Sequence, residues 1–232
     1  MFTGETVWTA ETATELGWEH REAAAEHLLV RARLDGVLAP PLRAVVRALG
    51  WTLWAGVPAG TCGFIDYEHH KIFIPDRGDR ATDNRSIRHE LGHLAAQLAY
   101  VSHTESDADA IGGAVAVPRR SARRAAMESG WDASRVVATF PDADPVEALM
   151  RVAFHADGAL AVYAGGYRKH AMVGDQASTG LFPEENELLR RMRGMRRPRP
   201  VGSRGSLRGW PIETPQGVVF AFLAPRECVE GS

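Results

Sequence analysis

Two histidines four residues apart, His89 and His93, with Glu90 beside the first, constrain this chain more than any other feature. On an α-helix, positions i and i+4 lie one above the other on the same face, so both imidazoles and the carboxylate can serve one site. A His-Glu-x-x-His pentad on a helix suits a zinc ion held by the two histidines, with the glutamate as an adjacent base. Short patterns also arise by chance, so the sequence around the pentad has to support the reading.

It does so through its periodicity. With residues at 100° intervals, a helix over residues 86–100 gathers Ile87, Leu91, Leu94 and Leu98 into one apolar stripe. Ser86, His89, Glu90, His93, Gln97 and Tyr100 fall on the opposite side, which predicts that the reactive groups point away from the packed face. A histidine with a purely structural role would stand among the leucines instead. Thr82, Asp83, Asn84 and Ser86 supply the side-chain oxygens that open helices, which predicts a start near residue 86.

A hydrolytic zinc site commonly takes three protein ligands, so a further donor is needed. Residues 105–117, read as a helix stopped by Pro118, put Glu105, Ala108, Asp109, Gly112 and Ala116 on one side. The small residues there allow a close helix–helix approach. Glu105 is the expected third ligand, and Asp109, one turn on, is placed to hydrogen-bond the free nitrogen of a ligand histidine. A third histidine six residues after the second is absent, since Ala99 holds that place. His103, in the connecting loop, and Asp107, on a different face, remain alternatives, and an ordinary solvated acidic turn is the bland account of all three.

The segments Ile72-Phe73-Ile74-Pro75 and Ser86-Ile87-Arg88-His89-Glu90-Leu91-Gly92-His93, with Glu105, Ala108-Asp109 and Val117-Pro118, resemble the ImmA/IrrE family of metallopeptidases over residues 38–160. Asp109 stands where that family often has asparagine, and Gly112 and Gly113 replace better helix formers. The resemblance implies an α+β fold: a zincin-like (gluzincin-like) metallopeptidase domain with a small, mostly antiparallel β-sheet on the HExxH helix, then a second ligand helix. It further implies intracellular cleavage of a specific protein, typically a helix-turn-helix transcriptional repressor of phage or stress-response genes.

With 232 residues, 45% of them hydrophobic and 24% charged, the chain can bury a core of its own. Residues 1–6 have neither a basic start nor an apolar run, and no segment approaches a membrane-spanning length, so the cytoplasm is the expected location. Cys62 and Cys228 show no CxxC spacing and are expected as reduced thiols. A net charge of -2 exerts no overall pull on nucleic acid.

Elsewhere, helices are expected over residues 10–34, 42–49, 119–129, 145–155 and 184–195, and strands over 51–54, 61–65, 71–74 and 160–163, with a closing hairpin over 211–224. Gly174 to Gly180 reads as a hinge, which divides the chain into a catalytic domain of residues 1–173 and a C-terminal α/β extension of residues 174–232. Adjacent His69 and His70 would point to opposite faces of a strand and read as exposed turn residues. Arginines 190, 191, 193, 196, 197, 199, 204 and 208 form the one strong charge bias. Without interleaved aromatics they read as a solvated linker sooner than as a nucleic-acid contact.

The chemistry expected of such a site has Glu90 taking a proton from zinc-activated water and returning it to the leaving amine. One further donor should stabilise the developing oxyanion, and Tyr67, Tyr100, His155, Tyr163, Tyr167 and His170 stand equal for that role. Residues 71–74 are the expected exposed edge for an extended substrate. The competing reading is a non-catalytic, metal-containing module that relieves repression by contact with a repressor or with DNA.

Overall fold

A computed structural model describes residues 17–57, 63–75, 78, 80–164, 167–173, 176–177, 188–191, 200–202 and 208–230. The architecture is α+β and divides into two units, Met1–Pro118 and Arg119–Ser232. In the first, α1 (Gly17–Arg31) buries Ala24, Ala25, Leu28 and Leu29, and α2 (Leu42–Ala48) buries Leu42, Val45 and Val46. Gly50 then takes φ +78°, the left-handed turn that ends such helices at glycine.

Three strands follow: β1 (Thr52–Val57), β2 (Phe64–Asp66) and β3 (Lys71–Pro75). They form one sheet in the order β1-β3-β2. The expectation of a mostly antiparallel sheet needs correction, because five residue pairs join β1 to β3 in parallel and three join β2 to β3 antiparallel. The 67–70 turn dictates only the β2–β3 hairpin. Where β1 docks is settled by burial of Ile72 and Ile74, both fully buried, against the helix that follows. Residues 71–74 are accordingly the central strand, not the expected edge. On the other face Trp54, Phe73 and Phe64 lie in register, with ring centroids 6.5 and 4.5 Å apart, a cross-strand row that ties the three strands together.

The pentad sits on α3 (Arg80–Leu98), which starts six residues before the expected position. Its capping-type residues are absorbed into the first turns, where the Ser86 hydroxyl donates to the Thr82 carbonyl at 3.3 Å. Ile87, Leu91 and Leu94 are buried as the stripe requires, and Leu98 is half-buried. The helix ends with Val101 N–H on the Ala96 carbonyl and Tyr100 N–H on the Gln97 carbonyl, Tyr100 taking φ +56°.

After a short loop comes α4 (Glu105–Ala116), opened by a reciprocal cap: Thr104 Oγ1 accepts from Asp107 N–H, and Asp107 accepts from Thr104 N–H. The two helices nearly touch. A Cβ on Gly92 would run into the Ala108 carbonyl, and one on Gly112 into the Arg88 carbonyl. Glycine is required at both places because backbone, and not a yielding side chain, fills the space.

In the second unit, α5 (Arg119–Ser129), α6 (Ala133–Thr139) and α7 (Pro145–His155) precede β4 (Gly158–Ala164) and β5 (Tyr167–Val173). Asp132 and Asp144 cap α6 and α7 by accepting from the first free amides. The short β6 (Gln176–Ala177) and β7 (Val201–Gly202) flank a sheet completed by β8 (Arg208–Thr214) and β9 (Gly217–Pro225), in the order β6-β5-β4-β9-β8-β7. Because β4 pairs with β9, the division expected at residues 173 and 174 falls between strands of one sheet. Ala159, Ala161, Tyr163, Phe222 and Ala224 pack with Leu188 and Leu189 on one face of it. Short-range signals mark each strand, but pairing of strands some sixty residues apart is a tertiary decision.

Among the described residues no helix is long and apolar enough to cross a membrane. Cys228 is exposed, while Cys62, the 174–180 hinge (save Gln176–Ala177) and most of the arginine tract lie outside the described residues.

Candidate metal centre

The close α3–α4 crossing brings the expected ligands together. Glu105 Oε2 lies 3.1 Å from His89 Nε2 and 3.5 Å from His93 Nε2, and the two Nε2 atoms are 3.1 Å apart. Tetrahedral donors about 2.0–2.1 Å from a zinc ion stand roughly 3.3–3.4 Å apart, so these three atoms have the spacing of one face of such a tetrahedron. His89, His93 and Glu105 could therefore hold a metal ion. The Glu105 side chain is 81% exposed, so the group opens to solvent on that side.

Each histidine is held from behind. Asp109 Oδ1 lies 2.8 Å from His89 Nδ1, the expected support for a ligand histidine. His93 Nδ1 instead meets His103 Nε2 at 2.8 Å. Burial, with the neighbouring charge of His89, holds the His93 pKa below its ordinary 6.5 and so favours the neutral ring, the form that binds metals.

Asp107 has other duties. It closes the Thr104 cap and pairs with Arg21 of α1 at 2.6 Å. Burial works to raise its pKa, but the Thr104 donors and the Arg21 guanidinium outweigh that and hold it below 3.8. Of the two alternative third ligands, then, Asp107 is a cap and His103 a partner of His93.

Glu90 departs from expectation in its surroundings. It lies on the reactive side of α3, yet it is only 3% exposed. The cause is Gly63, just before β2: a Cβ there would stand 2.5 Å from Glu90 Oε1 and 2.8 Å from the Phe73 carbonyl oxygen. The hairpin backbone thus lies flush on the carboxyl group. Burial, reinforced by the charge of Glu105 and offset in part by His89, raises the Glu90 pKa from 4.5 to about 7. Gly63 and Gly92 are site residues that sequence reasoning missed. A glycine leading into a strand, and one inside the pentad, were the available signals of close backbone approach.

Of the expected oxyanion donors, Tyr67 is near enough to Glu90 to feel its charge. Burial raises its phenol pKa and the Glu90 charge adds to that, so the hydroxyl stays protonated. Its ring packs edge-on against Trp51, which in turn stacks on His70. Tyr100 is 88% exposed and lies in the turn beyond the end of α3. His155 and Tyr163 are buried within the second unit, His170 is exposed there, and the Tyr167 side chain lies outside the described residues. His69 and His70 are exposed turn residues as expected, His69 pairing with Asp66.

No family model and no curated protein matches this chain. A solved structure described as a Mycobacterium tuberculosis transcriptional regulator is similar with a TM-score of 0.54 and 10% identity, over 93% of this chain and 80% of that one. At that identity the likeness concerns the fold alone.

Proposed function

We propose that this protein is a zinc-dependent endopeptidase of the zincin type, with His89, His93 and Glu105 as ligands and Glu90 as general base. The observation that carries the reading is the joint arrangement: three donor atoms at tetrahedral spacing beside a buried glutamate whose pKa is about 7. Zinc bound there supplies a Lewis acid that acidifies water and polarises a peptide carbonyl. Poised between its two forms near neutrality, Glu90 accepts the proton of water adding to the carbonyl carbon and returns it to the departing amine nitrogen. Tyr67, kept protonated, donates to the oxygen on which charge develops. An extended substrate adds along β2, the strand entered from Gly63 and therefore the one beside Glu90.

The substrate is a specific intracellular protein, in line with the ImmA/IrrE resemblance a helix-turn-helix repressor, and the protein works in the cytoplasm. The description of the structural neighbour as a transcriptional regulator suits a place in gene control and also favours a second reading, relief of repression by contact without cleavage. Purified protein loaded with zinc should cut the cognate repressor, and Glu90→Gln should keep the metal and lose the cutting. A Glu90→Gln variant that relieves repression as well as wild type sinks the peptidase and leaves the contact model standing.

A further inference from the structure

The two ligand histidines are backed by chemically different partners, and only one of these is a carboxylate. His103 sits in the loop between α3 and α4, partly buried, with Nε2 2.8 Å from His93 Nδ1 and Nδ1 3.3 Å from the Val101 carbonyl oxygen. A carbonyl oxygen can only accept, so the proton of a neutral His103 belongs on Nδ1. Its Nε2 is then bare and must accept, which places the His93 proton on Nδ1 as well. That leaves the His93 Nε2 lone pair free, and this is the nitrogen that faces His89 Nε2 and Glu105. The Val101 carbonyl is itself fixed, because Val101 N–H closes the last turn of α3 on Ala96.

We propose that His103 is a positioning residue for the metal centre: it sets the tautomer and ring orientation of His93 through a relay that begins at the C-terminal cap of the HExxH helix. The relay does for His93 what Asp109 does for His89, and it gives the left-handed turn at Tyr100 a purpose, since that turn delivers Val101 and His103 back to the helix. His103 is not a ligand in this arrangement, because its Nε2 is spent on the nitrogen of His93 that faces away from Glu105. The inference rests on the metal-site reading above.

Two measurements on the full chain test it. In metal-free protein, the nitrogen shifts and two-bond couplings of the imidazoles should show a proton on Nδ1 of both His93 and His103; a His93 whose Nδ1 carries no proton overturns the proposal whatever any variant does. In competition with a chromophoric chelator, His103→Ala should weaken zinc binding about 10–100-fold, as loss of such a partner does elsewhere. His103→Gln, whose amide oxygen reaches close to the same place, should recover most of the loss. Equal zinc affinity for wild type and His103→Ala defeats the relay, whereas failure of the wild type to bind zinc defeats the metal-site reading itself.

Discussion

Glu90→Gln in metal-free protein should stabilise the first unit, and by an amount that grows with pH. Glu90 is 3% exposed and its pKa is raised from 4.5 to about 7, burial being the largest cause. The folded state therefore binds this proton more tightly than the unfolded chain does. Stability contributed by the neutral carboxyl is fully present below about pH 4.5 and is lost as pH rises to about 7. At 1.36 kcal/mol per tenfold change in proton affinity, the full loss is about 3 kcal/mol at pH 8.5, against roughly 1 kcal/mol at pH 5. Glutamine keeps the shape and never ionises, so its advantage over glutamate should widen by roughly 2–3 kcal/mol between those two pH values. Urea unfolding of chelator-treated protein, followed by hydrogen exchange of the Leu91 and Leu94 amides, reads this out within α3. A stability difference that stays flat from pH 5 to 8.5 would mean that Glu90 is solvated, and the argument from Gly63 would fail with it.

Gly92→Ala should separate α3 from α4, since the added methyl meets the Ala108 backbone; we expect destabilisation of at least about 3 kcal/mol in urea and loss of zinc binding, and a variant of wild-type stability would contradict the close crossing. Gly63→Ala presses on both the Glu90 carboxyl and the Phe73 carbonyl, so cleavage should fall while zinc affinity, measured by chelator competition, holds. Tyr67→Phe should lower kcat by about 100-fold with KM and metal content little changed, whereas an unaltered kcat would remove Tyr67 from the reaction.

The helix pair was legible because its information is local. The 3.6-residue period placed Ile87, Leu91 and Leu94 inward, and the one-turn spacing of Glu105 and Asp109 put both carboxylates on the helix face beside His89. The start of α3 differs from the expected one for a local reason too, because the Ser86 hydroxyl is satisfied within the helix by the Thr82 carbonyl as readily as it would be at its end. The sheet was less legible. Its hairpin follows from a short turn, but a period of two in β1 is equally compatible with docking beside β2 or β3, in either direction. Likewise, nothing in the residues around position 173 announces that β4 will pair with β9.

By itself, then, the amino-acid order determined which donor types exist and that helical spacing puts His89 beside His93 and Glu105 near Asp109, since side-chain direction on a helix repeats within a few residues. Only the tertiary structure decided that Gly63 would cover Glu90, that His103 Nε2 would meet His93 Nδ1, and that Lys71–Pro75 would be the central strand. Those outcomes depend on how closely two backbones approach, and that distance is set by packing between segments whose separation along the chain carries no record of it.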